Sequence, residues 1–344
     1  MFMSKFKRIG LDLKAETLNK LIFSYLSGYA PTRASVAKSC SVSEMTSGKA
    51  ARALIDSGFM CERQYSSDGK RPCFHLFCND GVRVLVIDLS SSVFKMSIVS
   101  PYGDVKFQTE YEYDTEISHM DNLNIFFSRH SANVKKSRYS FCAISVIYAD
   151  IPVSRTTMMS YGFLPDITSK EHIADLIHSE FGKYPASHMT VSDAILSSLK
   201  FKAHGDIIEP RGLSYIFIGR HISAFHIHAD GAVTVCSPEP LFPNICRKLF
   251  TDHMLTEKSV SDSIFVQLAH FMGCAFSPSH IILESDILSP DDTTAELLCQ
   301  RFALSGLNAP TVSFKDNSHP LRLVGASRET LFSVIKRYVL PNNR

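Results

Sequence analysis

The chain has 344 residues, 45% hydrophobic and 20% charged, with 16 Gly and 15 Pro. That composition excludes disordered, collagen-like and low-complexity proteins, and at roughly 150 residues per domain it predicts two or three packed domains. Net charge is only +2, but residues 1 to 80 hold 12 Lys and Arg against 7 Asp and Glu, leaving 24 against 27 in the rest of a chain that totals 36 and 34. A basic N-terminal module on a mildly acidic body suits a protein whose one end meets a polyanion, and equally one with a solvated basic surface. The longest apolar runs, Val84 to Leu89 and Tyr215 to Gly219, are far shorter than the ~20 residues that cross a bilayer. Met1 to Gly10 lacks an apolar signal-peptide core, so a cytoplasmic chain with no membrane partner is expected. Nine scattered cysteines, an odd number, predict reduced thiols and no disulfide.

From Ala15 the apolar residues Leu18, Leu21, Ile22, Tyr25 and Leu26 recur at helical spacing until Gly28, which predicts an amphipathic helix. Pro31 and Thr32 open a second helix, Arg33 to Ser39, with Val36 and Ala37 inward. Cys40 to Val42 makes a tight turn, and Ser43 is placed to cap a third helix. The third helix runs from Glu44 to Ser57, buries Met45, Ala50, Ala53, Leu54 and Ile55, and ends at Gly58. Phe59 to Gln64 and Cys73 to Phe77 then flank the turn Ser66-Ser67-Asp68-Gly69-Lys70-Arg71-Pro72, a β-hairpin with a basic tip.

Helix, helix, turn, helix and wing make a winged helix-turn-helix over residues 1 to 80. On its third helix Thr46, Ser47, Lys49 and Arg52 are expected to project outward, the half that enters a major groove in such domains. Ser43 and the free N–H groups at the helix start suit a phosphate, and Lys70 and Arg71 suit the neighbouring backbone or minor groove. Double-stranded DNA is the expected partner; a module that docks protein is the alternative. Gly48 weakens the third helix by ~1 kcal/mol relative to Ala.

After the wing, Val84 to Asp88, a Ser-rich turn, Val93 to Val99, a turn at Tyr102-Gly103-Asp104 and Val105 to Phe107 read as three consecutive strands. With this pattern in place the chain resembles the ROK family (repressors, open reading frames and sugar kinases), whose repressors join an N-terminal winged helix to an actin-like ATPase fold. Thr32-Arg33-Ala34-Ser35-Val36-Ala37 resembles the family's second helix, Val42-Ser43-Glu44-Met45-Thr46-Ser47 the start of its recognition helix, and Gly69-Lys70-Arg71-Pro72 its wing. Val191-Ser192-Asp193-Ala194 resembles its Asn-Asp-Ala motif, Gly219-Arg220-His221-Ile222-Ser223 stands where a phosphate loop would be, and Gly325-Ala326 resembles the start of its last helix. The resemblance implies an α/β chain: the winged helix, then an actin-like (ribonuclease H-like) body over residues 81 to 344, with lobes of about 81 to 200 and 201 to 344.

The departures from that pattern bear on activity. The first strand turn, Asp88-Leu89-Ser90-Ser91-Ser92, carries side chains where a kinase brings bare backbone to the phosphates, and the loop from Gly219 keeps one glycine. The family's zinc cluster should follow Glu239, but a lone Cys246 stands there, too few ligands for structural zinc. The resemblance would make Asp193 the general base of a sugar kinase, yet Ser192 replaces the family's Asn, and without intact loops the positioning on which phosphoryl transfer depends is lost. A helix cap is the plainer role for Asp193, and a turn cap for Asp88. Asp88, Asp193 and Glu239 are together expected as a vestigial ligand site. Strand alternation puts Cys73 and His75 on one face and Cys78 on the other with no second pair following, and the His226, His228 pair, which shares a face, is one that 14 histidines readily produce, so no metal or cofactor is expected.

The remaining segments alternate. Ser140 to Ile147 reads as a strand; a helix follows with Ile173, Leu176, Ile177 and Phe181 inward. Tyr215 to Ile218, Ala224 to His228 and Ala232 to Cys236 repeat the three-strand pattern, and Ser259 to Met272, His280 to Leu283, Thr293 to Leu304, Thr311 to Phe314 and Ser327 to Val339 alternate helix and strand. The reading is a ROK-type, sequence-specific transcriptional regulator that lacks kinase activity, forms a homodimer or higher homo-oligomer on a palindromic operator, and takes a sugar or related metabolite as effector. The alternative is an ATP-dependent sugar kinase using Asp193.

Overall fold

The computed structural model describes residues 6–27, 31–65, 73–91, 93–148, 167–205, 211–218, 222–236, 258–285, 292–306, 308–315 and 321–339. Its elements are α1 (Ala15–Ser27), α2 (Arg33–Ser39), α3 (Glu44–Asp56), β1 (Met60–Tyr65), β2 (Cys73–Cys78), β3 (Val84–Asp88), β4 (Val93–Val99), β5 (Val105–Glu112), α4 (His119–Lys136), β6 (Ala143–Tyr148), α5 (Ile167–Phe181), β7 (Ala186–Thr190) and α6 (Val191–Gly205). There follow β8 (Leu213–Ile218), β9 (Ile222–Ile227), β10 (Val233–Cys236), α7 (Lys258–Phe276), β11 (His280–Ser285), α8 (Asp292–Leu304), β12 (Thr311–Lys315) and α9 (Leu321–Val339). They divide between two compact units: α1 to α6 with α9 in the first, β8 to β12 with α7 and α8 in the second.

The two five-stranded sheets have one topology. The first is ordered β5-β4-β3-β6-β7 and the second β10-β9-β8-β11-β12. In each, three strands form an antiparallel meander and two more add in parallel beyond the first strand of the meander. Parallel neighbours need a crossover, and helices supply it. Every residue of the central strand β3 is buried, which explains its near-continuous apolar sequence. Leu85, Ile87, Phe94 and Ile144 meet Phe126 and Ile173 from the covering helices α4 and α5. In the second unit Ile216, Ile281 and Leu283 meet Leu268, Met272 and Phe302 from α7 and α8.

The expected lobe of residues 201 to 344 is corrected at its end, because α9 belongs to the first unit. Hydrogen bonds bind it there: Ser327 Oγ donates to the Ser100 carbonyl (3.4 Å), Arg328 Nε to the Pro101 carbonyl (2.8 Å) and Ser197 Oγ to Glu329 (2.9 Å). The helix also starts six residues before the expected Ser327, with Gly325 inside it instead of at its opening. A Cβ at Gly325 would lie 1.8 Å from the Ala194 carbonyl oxygen of α6, so the glycine serves backbone-to-backbone contact between two helices.

The winged helix packs on this same unit. Phe23 of α1 stacks on Phe201 of α6 at 4.3 Å, with Phe332 of α9 edge-on at 5.9 Å. Phe6 stacks on Phe59 at 4.3 Å, and Tyr338 of α9 meets both rings edge-on. Such pairs contribute ~0.5–1.5 kcal/mol each beyond their buried area. The chain leading into α1 runs along the end of α9, where the Ile9 N–H donates to the Tyr338 carbonyl (2.8 Å) and the Leu11 N–H to the Val339 carbonyl (3.1 Å). At the base of the wing the Cys78 N–H donates to the Tyr102 hydroxyl oxygen in the β4–β5 turn (2.8 Å).

Gly325→Ala tests the helix contact. Helix propensity alone would favour alanine by ~1 kcal/mol, but the added methyl must displace α6, and overpacking of this kind costs about 1–3 kcal/mol. Urea denaturation is expected to give a lower midpoint for the variant; a higher one would contradict the close approach.

Candidate nucleic-acid interface

The recognition unit is set by local caps. Thr32 and Ser35 form a reciprocal capping box at the start of α2, each N–H donating to the other's hydroxyl at 3.0 Å. Ser41 takes φ 55° in the turn, and the Val42 N–H closes the turn onto the Ala37 carbonyl (3.0 Å). Ser43 then caps α3, its Oγ accepting from the Thr46 N–H (3.1 Å), which satisfies one of the orphan donors that every helix start exposes. The Arg33 guanidinium pairs with Glu62 at 2.9 Å and ties α2 to the wing strand β1.

The structure reverses two residues on α3. Ser47, expected to project outward, is fully buried. Its Oγ donates to the Arg33 carbonyl at the start of α2 (2.9 Å) and lies 2.6 Å from the Tyr25 hydroxyl of α1. Three helices meet at this one hydroxyl, and burial pushes the Tyr25 phenol above its usual range. Met45, expected in the core, is 71% exposed. The core face of α3 is instead made by Ser47, Ala50, Ala51, Ala53 and Leu54.

Lys49 and Arg52 are exposed as expected, and Thr46 is half-buried. Neither cation is paired with a carboxylate among the described residues. The wing strands pair from Met60 opposite Cys78 to Tyr65 opposite Cys73. Its tip, with Lys70 and Arg71, lies outside the described residues.

Asp88 and Asp193 stand at the same end of the first sheet, since Asp88 of β3 is level with Ile147 of β6 and Ile147 with Met189 of β7, and each has partners of its own. Asp88 is buried at the end of β3, where Ser90 donates to Oδ1 through both its N–H (3.0 Å) and its hydroxyl (2.5 Å). Arg322 of α9 donates through Nε to Oδ2 at 2.9 Å, and both members of the pair are nearly inaccessible. Nothing in the local sequence pointed to Arg322, 234 residues away in the chain. Asp193 is exposed in the first turn of α6. The Thr190 hydroxyl donates to Asp193 Oδ2 (2.9 Å) while the Asp193 N–H returns a bond to Thr190 Oγ1 (3.1 Å), the geometry of a helix cap. Glu239, Cys246 and Gly219-Arg220-His221 lie outside the described residues, as does Ser92.

Each member of the histidine pair has a protein partner at one ring nitrogen. His226 Nδ1 lies 3.0 Å from Ser214 Oγ, His228 Nε2 lies 2.8 Å from Thr234 Oγ1, and the His226 ring stacks on Phe276 at 4.5 Å. Burial, with the neighbouring His228, pulls the His226 ring down to about 4, so it stays neutral at physiological pH. Among the described residues no group of three His, Cys, Asp or Glu side chains is placed to hold a metal ion. No helix among them is long and apolar enough to cross a membrane.

No family model and no curated protein matches the sequence. Among solved structures, a ROK family transcriptional regulator described as a homolog of the E. coli Mlc protein aligns over 94% of this chain and 98% of its own, at 13% identity and a TM-score of 0.58. A ROK hexokinase from Thermus thermophilus covers 73% of this chain and 99% of its own, at 12% identity and a TM-score of 0.45. A ROK family glucokinase from Streptomyces griseus, in complex with glucose and AMPPNP, covers 71% and 98%, also at 12% identity and 0.45. The likeness to the regulator shows the fold: an N-terminal winged helix-turn-helix followed by an actin-like α/β body.

Removing one member of a buried ion pair leaves the other uncompensated, a loss of about 3–5 kcal/mol. Arg322→Met is therefore expected to lower stability by that amount in urea denaturation at pH 7, and adding Asp88→Asn to recover most of it. A single variant as stable as the parent would contradict the pairing.

Proposed function

We propose that the chain is a ROK-type transcriptional regulator that binds duplex DNA through α3 and the wing and does not transfer phosphoryl groups. The observation that carries this reading is the outer face of α3, where Lys49 and Arg52 stand exposed, with no carboxylate partner among the described residues, on a helix capped at its start and anchored from behind by Ser47. A helix so presented fits a major groove, with its side chains at base edges and its N-terminal N–H groups and Ser43 at a phosphate. Lys70 and Arg71 on the wing hold the flanking backbone. Ser47 is excluded from the interface by its burial.

The sugar-kinase alternative is the weaker reading. Both oxygens of Asp88 are already engaged by Ser90 and Arg322, so a magnesium ion there must compete with a buried guanidinium. The Asp193 carboxylate serves the start of its own helix. The regulator acts as a homodimer whose two heads read a palindromic operator, and a small-molecule effector, a sugar or related metabolite, works by changing the separation of the heads.

Selection from a random duplex pool by the full chain tests this reading. A single two-fold motif is expected, and fluorescence titration on it should show Lys49→Ala and Arg52→Ala each weakening specific binding by about 1–3 kcal/mol, with Lys70→Ala weakening all sequences alike. Full retention of affinity in every variant would reject the interface, and ATP turnover abolished by Asp193→Asn would favour the kinase.

A further inference from the structure

Met45 is out of place by the rules that govern the rest of α3. Its side chain is 71% exposed, while the alanines of the same helix are buried. At about 100° per residue around a helix, Lys49 falls about 40° to one side of Met45 and Arg52 about 20° to the other, and at about 1.5 Å of rise per residue both follow it along the axis, by roughly 6 and 10 Å, so the thioether shares the outward face of the two cations at its N-terminal end. Gly48 borders it, and a Cβ at Gly48 would meet nothing within 4 Å. No internal contact explains that glycine, which weakens the helix, but its bare edge leaves a shallow strip beside Met45 into which another surface can press.

The occupant of this strip has to satisfy an apolar group and two cations within one helix face. A duplex does so: the acceptors on the base edges of a major groove meet Lys49 and Arg52, and the one apolar group on the same floor is the C5-methyl of thymine. We propose that Met45 determines specificity by packing against a thymine methyl in each half of the operator. The inference rests on the DNA-binding reading given above and adds to it the base that is read. Methionine suits the task, because its unbranched, polarizable side chain can follow the edge of a base step without a fixed shape.

The test uses the full chain, a duplex carrying its selected sequence, and the same duplex with single thymines replaced by deoxyuridine, which changes only the methyl. Replacement at one position per half-site is expected to weaken the parent about fourfold for each methyl lost. Met45→Ala, a substitution at an exposed position that helix propensity favours, is expected to bind the thymine and deoxyuridine duplexes equally, and Met45→Leu to restore the difference. Equal affinity of the parent for both duplexes at every position, or the same ratio in Met45→Ala as in the parent, overturns the inference while leaving DNA binding intact. Failure of the chain to select any sequence overturns both.

Discussion

Helix α9 holds the first unit together, and its contacts run from one end of the helix to the other. Arg322 in its first turn neutralises Asp88 at the end of the central strand β3, and Gly325 brings its backbone against α6. Arg328 reaches the β4–β5 turn, while Phe332 and Tyr338 pack against rings of the winged helix. One element thus joins the sheet, the helix that carries Asp193 and the winged-helix head. The head is packed on the body by aromatic stacking and backbone hydrogen bonds.

The buried pair between Asp88 and Arg322 also bears on chemistry. An isolated carboxylate in such a place is too costly to keep charged unless it is matched, and the chain matches it from within. The negative end of β3 is matched by a cation from α9 of the same unit.

Much of the architecture was legible because it is local. Caps at Thr32 and Ser43, the glycine after α3 and the alternation of helices and strands all follow from neighbours in sequence, as does the repeated meander that made the two sheets recognisable as copies. The errors arise where a distant partner decides. Ser47 reads as a surface residue by its polarity, but Tyr25 and the Arg33 carbonyl give its hydroxyl a buried use. Met45 reads as core by its hydropathy, yet it lies opposite Leu54 on the helix and faces away from α1 and α2. Gly325 looks like a helix start until the Ala194 carbonyl is seen to require it. Arg322 could not be paired with Asp88 from spacing, since only the fold brings residues 234 apart together.

Amide hydrogen exchange of the full chain, with and without its selected duplex, tests most directly the proposal that α3 reads DNA and that α9 ties the winged helix to the sheet of the first unit. The account predicts slowed exchange on α3 with the selected sequence, extending to α1 and the last turns of α9, and little change with a scrambled duplex. Protection that is absent from α3, or that is the same for both duplexes, would contradict it.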